Sequence, residues 1–258
     1  MGAETDEAGP LRGEHLTLDG LTKAYGDLPV LDGVSLSVAA GEFVAVVGPS
    51  GCGKSTLFDV VAGLEHPDAG RVLVDGAEAT GRTDAFAYMP QQDLLFPWRS
   101  VLDNTTLGLE VAGVRRRAAR ERARPLFAEF GLDGFEGARP DELSGGMRQR
   151  AALLRTVVQE RPVLLLDEPF GALDALTRTE MQLWLSRMHT RFAWTVVLVT
   201  HDVREAVLLA DRVVVLAPRP TSVRRVVPVD LPRPRDLSVL TDPRFAAAEA
   251  ELLGALVR

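Results

Sequence analysis

The chain has a single cysteine, Cys52, among 258 residues. That excludes an internal disulfide and a cysteine-rich zinc site, and it is compatible with a reducing compartment. A basic excess is missing too. The net charge is −7 and the pI about 5.2, whereas a nucleic-acid-binding body carries a basic footprint. No apolar run approaches the roughly 18 residues that a membrane helix needs. The first residues, MGAETDEAGP, lack the basic start and apolar stretch of a signal peptide, so 1–13 reads as a disordered tail. There is no internal repeat of fixed period. Lysine is nearly absent: it occurs only at 23 and 54, among 29 basic residues.

What is present supports a proper core. Hydrophobic residues make up 46% of the chain, and its length suits one large domain or a domain with a substantial insertion. The most informative stretch is EFVAVVGPSGCGKST at 42–56. The run Phe43–Val47 reads as a buried strand that breaks at Gly48 into a tight loop and feeds a helix at Lys54. Gly48, four residues, then Gly53, Lys54 and Ser55 is the phosphate-binding loop spacing. Glycines let the backbone curl so that successive N–H groups of Gly48, Ser50, Gly51, Cys52, Gly53, Lys54, Ser55 and Thr56 surround an anion, Pro49 contributing shape but no donor. The helix N-terminus adds positive potential. Lys54 would reach the β- and γ-phosphates and Ser55 would hold Mg²⁺. A compact ammonium suits a narrow cradle better than a planar guanidinium, so the rarity of lysine elsewhere gives Lys54 weight. Cys52 is either a small side chain fitting a crowded turn or a thiol activated by Lys54 and the helix start.

Residues 14–19 and 33–38 alternate apolar and polar residues and read as half-exposed antiparallel strands, with Tyr25 in the loop between them. Further strands are expected at 71–75 and 84–89. From about 93 to 158 the chain reads as helical, and the arginine run at 115–124 as a solvated helix face. The continuous runs at 163–167, 196–200 and 213–216 fit a parallel sheet buried on both faces. The segments 172–191 and 203–210 read as crossover helices. Residues 217–235 are rich in proline and arginine around one strand, and 242–257 reads as a closing amphipathic helix.

In LLLDEP at 164–169 an apolar strand ends in two carboxylates at the edge where α/β sheets bind ligands. Asp167 would support Mg²⁺ and Glu168 would polarise an attacking water. In LSGGMRQ at 143–149 a hydroxyl and two glycines precede a second helix, another N-terminus able to hold phosphate oxygens. One triphosphate does not need two cradles in one chain; the second becomes useful if it faces the nucleotide of another copy.

The order of phosphate loop, Gln91, LSGGMRQ, LLLDEP and THD at 200–202 resembles the ATP-binding subunit of ABC transporters over residues 14–230. The resemblance implies an α/β fold. Its P-loop NTPase core would have a parallel sheet with flanking helices and an antiparallel β subdomain. A helical insertion subdomain would lie at about 92–158, and 231–258 would form a C-terminal extension with a helix. It also implies a head-to-tail homodimer with two ATP molecules between the subunits. Each site would combine the phosphate loop and LLLDEP of one copy with Ser144, Gly145 and Gly146 of the other. By matching motif, Tyr25 would stack on adenine and Gln91 would sense Mg²⁺ and water. Asp174 would contact the opposite subunit, and His201 would bond the γ-phosphate.

The Phe96-Pro97-Trp98 group, PRP at 218–220 and LPRPRD at 231–236 are similar to those of importers for nitrate, sulfonate or taurine, and for pyrimidine-type thiamine precursors. Those importers usually have leucine in the place of Phe96 and often glycine-arginine after PRP, where this chain has Thr221 and Ser222. The resemblance makes 92–104 the docking region for integral permease subunits. It sets the chain on the cytoplasmic face of the membrane as a peripheral subunit, with a periplasmic or lipid-anchored solute-binding protein acting indirectly and no nucleic-acid partner. Two other classes fit the sequence less well. A soluble ABC-type ATPase acting on ribosomes or DNA would bring paired cassettes, coiled-coil insertions or zinc cysteines. A regulatory nucleotide-binding module without turnover would not need Glu168 and His201.

Overall fold

The structure, a computed structural model, describes residues 13–257. The expected tail at 1–13 therefore lies outside the described residues except for Gly13. In chain order the elements are β1 (Leu16–Tyr25), β2 (Leu28–Val38), β3 (Phe43–Val47), α1 (Lys54–Val61), β4 (Ala69–Val74), β5 (Ala77–Glu78), β6 (Phe86–Met89), α2 (Val101–Thr105), α3 (Leu107–Val111), α4 (Arg116–Glu129), α5 (Gly145–Val157), β7 (Val163–Asp167), α6 (Ala175–Phe192), β8 (Thr195–Val199), α7 (Val203–Leu209), β9 (Arg212–Leu216), β10 (Val223–Pro228) and α8 (Pro243–Val257). One sheet has the order β10-β9-β3-β8-β7-β6, parallel except for β10 on β9. A second, antiparallel sheet has the order β2-β1-β4-β5.

The unbroken apolar strands follow from burial on both faces. Successive side chains of a strand point to opposite sides. Phe43, Ala45 and Val47 of β3 therefore enter one core while Val44 and Val46 enter another. Leu164 and Leu166 of β7 split in the same way from Val163 and Leu165. The second core holds α1 and the antiparallel sheet, and the first holds α2 to α8. The sheet is thus the wall between two layers, and the C-terminal ends of β3 and β7 open onto one edge.

Four local expectations are corrected. Tyr25 is the last residue of β1, not a loop residue. Gly20 and Gly33 read as strand ends, but at φ +63° and +67° they occupy register shifts or irregularities inside a longer hairpin, which runs on to the turn at Gly26. The stretch 92–100 is not helical; the helices of that region begin at Val101. Pro97 interrupts it, and fully buried Asn104 holds it in an irregular form. The Asn104 side chain accepts from Phe96 N at 2.7 Å and donates to the carbonyls of Phe96, Arg99 and Ser100. The arginine run is also only partly a solvated face: Arg116 and Arg120 bond Asp103 at 2.6 Å. Burial would raise that carboxyl, but the two guanidinium groups outweigh it and hold it below the usual range.

Candidate functional site

The site begins where β3 ends. Residues 48–53 form a loop without regular structure, and α1 starts at Lys54. Three glycines are sterically required there. Gly51 and Gly53 have φ of +71° and +115°, a backbone conformation that side chains rarely adopt. A Cβ at Gly48 would stand 3.0 Å from Cys52 Sγ, and one at Gly53 2.9 Å from Val30 Cγ1. No side chain caps α1, and its first turn holds no acidic residue. Its first N–H groups therefore keep their capacity for an anion. Lys54 Nζ donates to the carbonyls of Gly48 and Pro49 at 2.9 and 3.0 Å, folded over the loop. Ser50 and Ser55 are exposed, and Thr56 is half-buried. Cys52 is buried in the core under the loop, which favours its reading as a small packing residue.

At the end of β7 two carboxylates have different surroundings. Asp167 is buried; desolvation and then the charge of Glu168 push it up to about 6, and Tyr88 Oη donates to it at 3.4 Å. Glu168 has φ +43°, a left-handed conformation costing a side chain about 1 kcal/mol. The turn is stitched by Glu168 N to Val199 O at 2.9 Å and Gly171 N to Glu168 O at 3.1 Å. It aims the carboxylate so that Gln91 Nε2 donates to Oε2 at 2.9 Å and His201 Nδ1 lies 3.3 Å from the same oxygen. Gln91, Glu168 and His201 thus converge.

The remaining residues singled out from the sequence have other local roles. Ser144 is the N-cap of α5, its hydroxyl accepting from Met147 N at 3.3 Å. A Cβ on Gly146 would lie 2.9 Å from Thr177 Cγ2, so its bareness lets α5 approach α6; one on Gly145 would touch Leu173 at an ordinary 3.5 Å. Asp174 caps α6, accepting from Leu176 N and Thr177 N at 3.1 Å. Within one chain Ser144 and Asp174 are thus occupied by caps rather than by residues 48–56. Tyr25 is 46% exposed, with Lys23 Nζ 5.3 Å from its ring centroid.

Several contributors escaped the sequence reading. Thr221 Oγ1 donates to Cys52 O, Thr221 N donates to Val30 O at 2.8 Å, and Arg219 Nε donates to Gly51 O at 3.1 Å. The PRPT segment therefore props the phosphate loop; in the sequence it read only as a subtype marker. Gln149 Nε2 donates to Pro169 O, joining α5 to the carboxylate turn. Arg155, near the other end of α5, donates to Leu94 O at 2.8 Å and Asp93 O at 2.5 Å. An arginine on a helix face otherwise rich in core residues was the available signal for it.

Comparison with known proteins agrees with this geometry. The family profile described as ABC transporter matches residues 31–171. The aliphatic sulfonates import ATP-binding protein SsuB of Ralstonia nicotianae is 46% identical over 247 residues, covering 96% of this chain and 83% of that protein. A dimeric structure of the ATP-binding cassette MJ0796 in a post-hydrolysis state, bound to ADP and Pi, superposes with a TM-score of 0.70 at 29% identity, covering 84% of this chain and 99% of that one. The structure of cbiO1 from Clostridium perfringens, part of the ABC transporter complex cbiONQ, gives a TM-score of 0.75 at 25% identity, covering 93% and 95%.

Proposed function

The chain belongs to the ABC transporter family, and from that premise we propose that it is the ATP-hydrolysing subunit of a membrane importer, acting as a pair of copies. The observation that carries this reading is the position of Glu168 Oε2, between Gln91 Nε2 at 2.9 Å and His201 Nδ1 at 3.3 Å, beside a phosphate loop with an uncapped helix.

In this mechanism the loop 48–56 and Lys54 grip the β- and γ-phosphates, Lys54 exchanging its two carbonyl partners for phosphate oxygens. Tyr25 offers an exposed ring to the adenine. Glu168 orients and polarises the attacking water, and His201 steadies the γ-phosphate. The donor set fits Mg²⁺. Ser55, Asp167 and the side-chain carbonyl oxygen of Gln91 are hard oxygen ligands of the kind Mg²⁺ takes. Asp167 is a buried carboxylate whose raised pKa records a charge that a cation would relieve. When bound, Mg²⁺ would neutralise charge developing on the phosphates. Ser144, Gly145, Gly146 and Asp174 serve the nucleotide of the second copy, α5 presenting its N-terminus.

Coupling to a permease runs along α5. Its first turn faces the second copy's ATP, and Arg155 grips Asp93 and Leu94 about 15 Å further along the helix. Leu94 and Phe96 line a groove of about 790 Å³ with Tyr88, Val111 and Gln159. Beside it Trp98 is 70% exposed and stacks on Phe96 at 5.0 Å. An exposed aromatic patch of this kind suits a helix of a membrane partner. The likeness to import ATP-binding proteins supports a peripheral subunit at the cytoplasmic face; no helix among the described residues is long and apolar enough to cross a membrane. The solute is a sulfonate-like small anion delivered by a solute-binding protein; the likeness to SsuB supports this class.

The test is ATP turnover by the purified chain and its Glu168→Gln variant. The variant should bind ATP and hydrolyse it on the order of 10²-fold more slowly. Near-normal turnover would refute the role given to Glu168.

A further inference from the structure

Lysine occurs only twice in the chain, and one of the two, Lys54, serves the phosphates. The other, Lys23 of β1, is fixed at its charged end. Its Nζ donates to His66 O at 2.8 Å, pairs with Glu65 Oε2 at 3.2 Å and lies 5.3 Å from the Tyr25 ring centroid. The Lys23 side chain is 12% exposed, so this charge is largely withdrawn from water. The same loop holds the residues on either side of it. Asp68 Oδ2 accepts from Ala24 N at 2.6 Å, and Asp68 N donates to Thr22 O at 2.8 Å. That loop follows α1 and closes on it, Leu64 N and Glu65 N both donating to Asp59 O, at 2.8 and 3.1 Å. α1 in turn opens on the phosphate loop at Lys54. Strand register gives the same neighbourhood from the other side. Lys23, Ala24 and Tyr25 pair with Leu31, Pro29 and Leu28 of β2. Val30, between the first two of those partners, is the residue that a Cβ on Gly53 would strike.

We propose that Lys23 is a positioning residue for the purine base of the nucleotide: its ammonium, pinned by Glu65 and His66 O, holds the Tyr25 ring as a platform at a fixed span from the phosphate loop. This rests on the roles given above to Tyr25 and to the loop 48–56. An aromatic face is electron-rich, so a cation within about 6 Å of the centroid attracts it, and a desolvated cation does so more strongly. An ammonium has three N–H donors. Glu65 and His66 O take two, which leaves one side of the charge for the ring. Tyr25 is 46% exposed and ends its strand, so an unheld ring would lose its rotational freedom only when the base arrived. Ordering it beforehand removes that cost from binding. Lys23 itself touches no part of the nucleotide in this arrangement. The two lysines would then act at the two ends of one ligand, Lys54 on phosphate by direct charge and Lys23 on the base through an aromatic ring.

The experiment measures ADP binding by calorimetry on the wild-type chain, Lys23→Met, Tyr25→Ala and the double variant, with inorganic pyrophosphate as the probe that has no base. Methionine keeps the unbranched stem of Lys23 and deletes its charge. Lys23→Met should weaken ADP binding by about 3- to 10-fold, the range of a cation–π contact between exposed and desolvated sites. Pyrophosphate binding should not change, which a general loosening of the fold would not allow. On the Tyr25→Ala background Lys23→Met should cost no more than about a further twofold, because the ring it acts through is gone. Wild-type ADP affinity in Lys23→Met overturns the proposal. So does an equal loss for pyrophosphate, or a full loss that persists without Tyr25. If Lys23→Met does not fold, Glu65→Gln decides, since it keeps the lysine and weakens its anchor. It should weaken ADP and spare pyrophosphate, and unchanged ADP affinity in it overturns the proposal. Wild-type ADP affinity in Tyr25→Ala would overturn the base platform itself and with it this role, whereas a weakened Tyr25→Ala beside an unaltered Lys23→Met removes only the role of Lys23.

Discussion

Nδ1 of His201 lies 3.3 Å from Oε2 of Glu168, the oxygen that also accepts from Gln91 Nε2. One carboxylate oxygen is thus shared by an imidazole and an amide, and the three residues come from β8, β7 and β6 edges of one sheet. In the role proposed for it, His201 is thus held by Glu168 before ATP binds.

His201→Ala should therefore leave nucleotide binding near normal and reduce turnover by about 10²-fold, the cost of removing one donor to a transition-state oxygen. Binding is read by a fluorescent ATP analogue and turnover by phosphate release. A variant that loses affinity and keeps kcat would reassign His201 to ground-state binding.

The phosphate loop depends on the segment after β9. Thr221 is fully buried and its hydroxyl bonds Cys52 O, while its backbone is tied to Val30 and Asp32. Thr221→Val keeps the shape and deletes the hydroxyl, which should cost about 1 to 2 kcal/mol of stability. Because the lost bond ends on the loop itself, ATP affinity should fall severalfold as well. Thermal unfolding with and without nucleotide checks both. Unchanged unfolding and affinity would show that the loop holds its shape alone.

A third expectation concerns acid stability. His189 on α6 is 4% exposed, its Nε2 is 3.1 Å from Gly41 O, and its ring meets Phe43 edge-on at 5.2 Å. A carbonyl can only accept, so the hydrogen is on Nε2. Burial, and then the charge of Arg233, push the imidazole down to about 4. A folded pKa below the unfolded value of about 6.5 means the stability is fully present above 6.5 and is lost as pH falls from there to 4. The full loss is about 3 kcal/mol. Urea unfolding at pH 7 and 4.5 should show that slope in the wild type and a shallower one in His189→Gln. Equal slopes would exclude His189 as the titrating group.

The layers of this molecule were legible in the sequence because their causes are local. Runs such as VLLLD and VVLVT can satisfy burial on both faces only in a central parallel sheet. The glycine spacing at 48–53 marks a tight loop, and a hydroxyl with two glycines at 144–146 marks the start of a helix. Local signals also misled in two places. Gly20 and Gly33 look like strand ends because their tolerance of positive φ serves a turn and a strand irregularity equally well. The 92–100 stretch looks helical because its apolar residues are there to pack, and Asn104, which holds it open, lies outside it.

The sequence by itself determined which residues are proposed to carry chemistry: the lysine kept in a chain of arginines, the paired carboxylates after an apolar strand, the serine and two glycines before a helix. Only the tertiary structure decided how they meet. Gln91 and Glu168 are 77 residues apart in the chain, and Thr221 supports a loop 169 residues before it. A 5 to 6 residue pattern can specify a strand or a turn, but the distance between two side chains on different strands is set by sheet order and register. Those are properties of the packed whole, fixed when the two cores close on either side of β3.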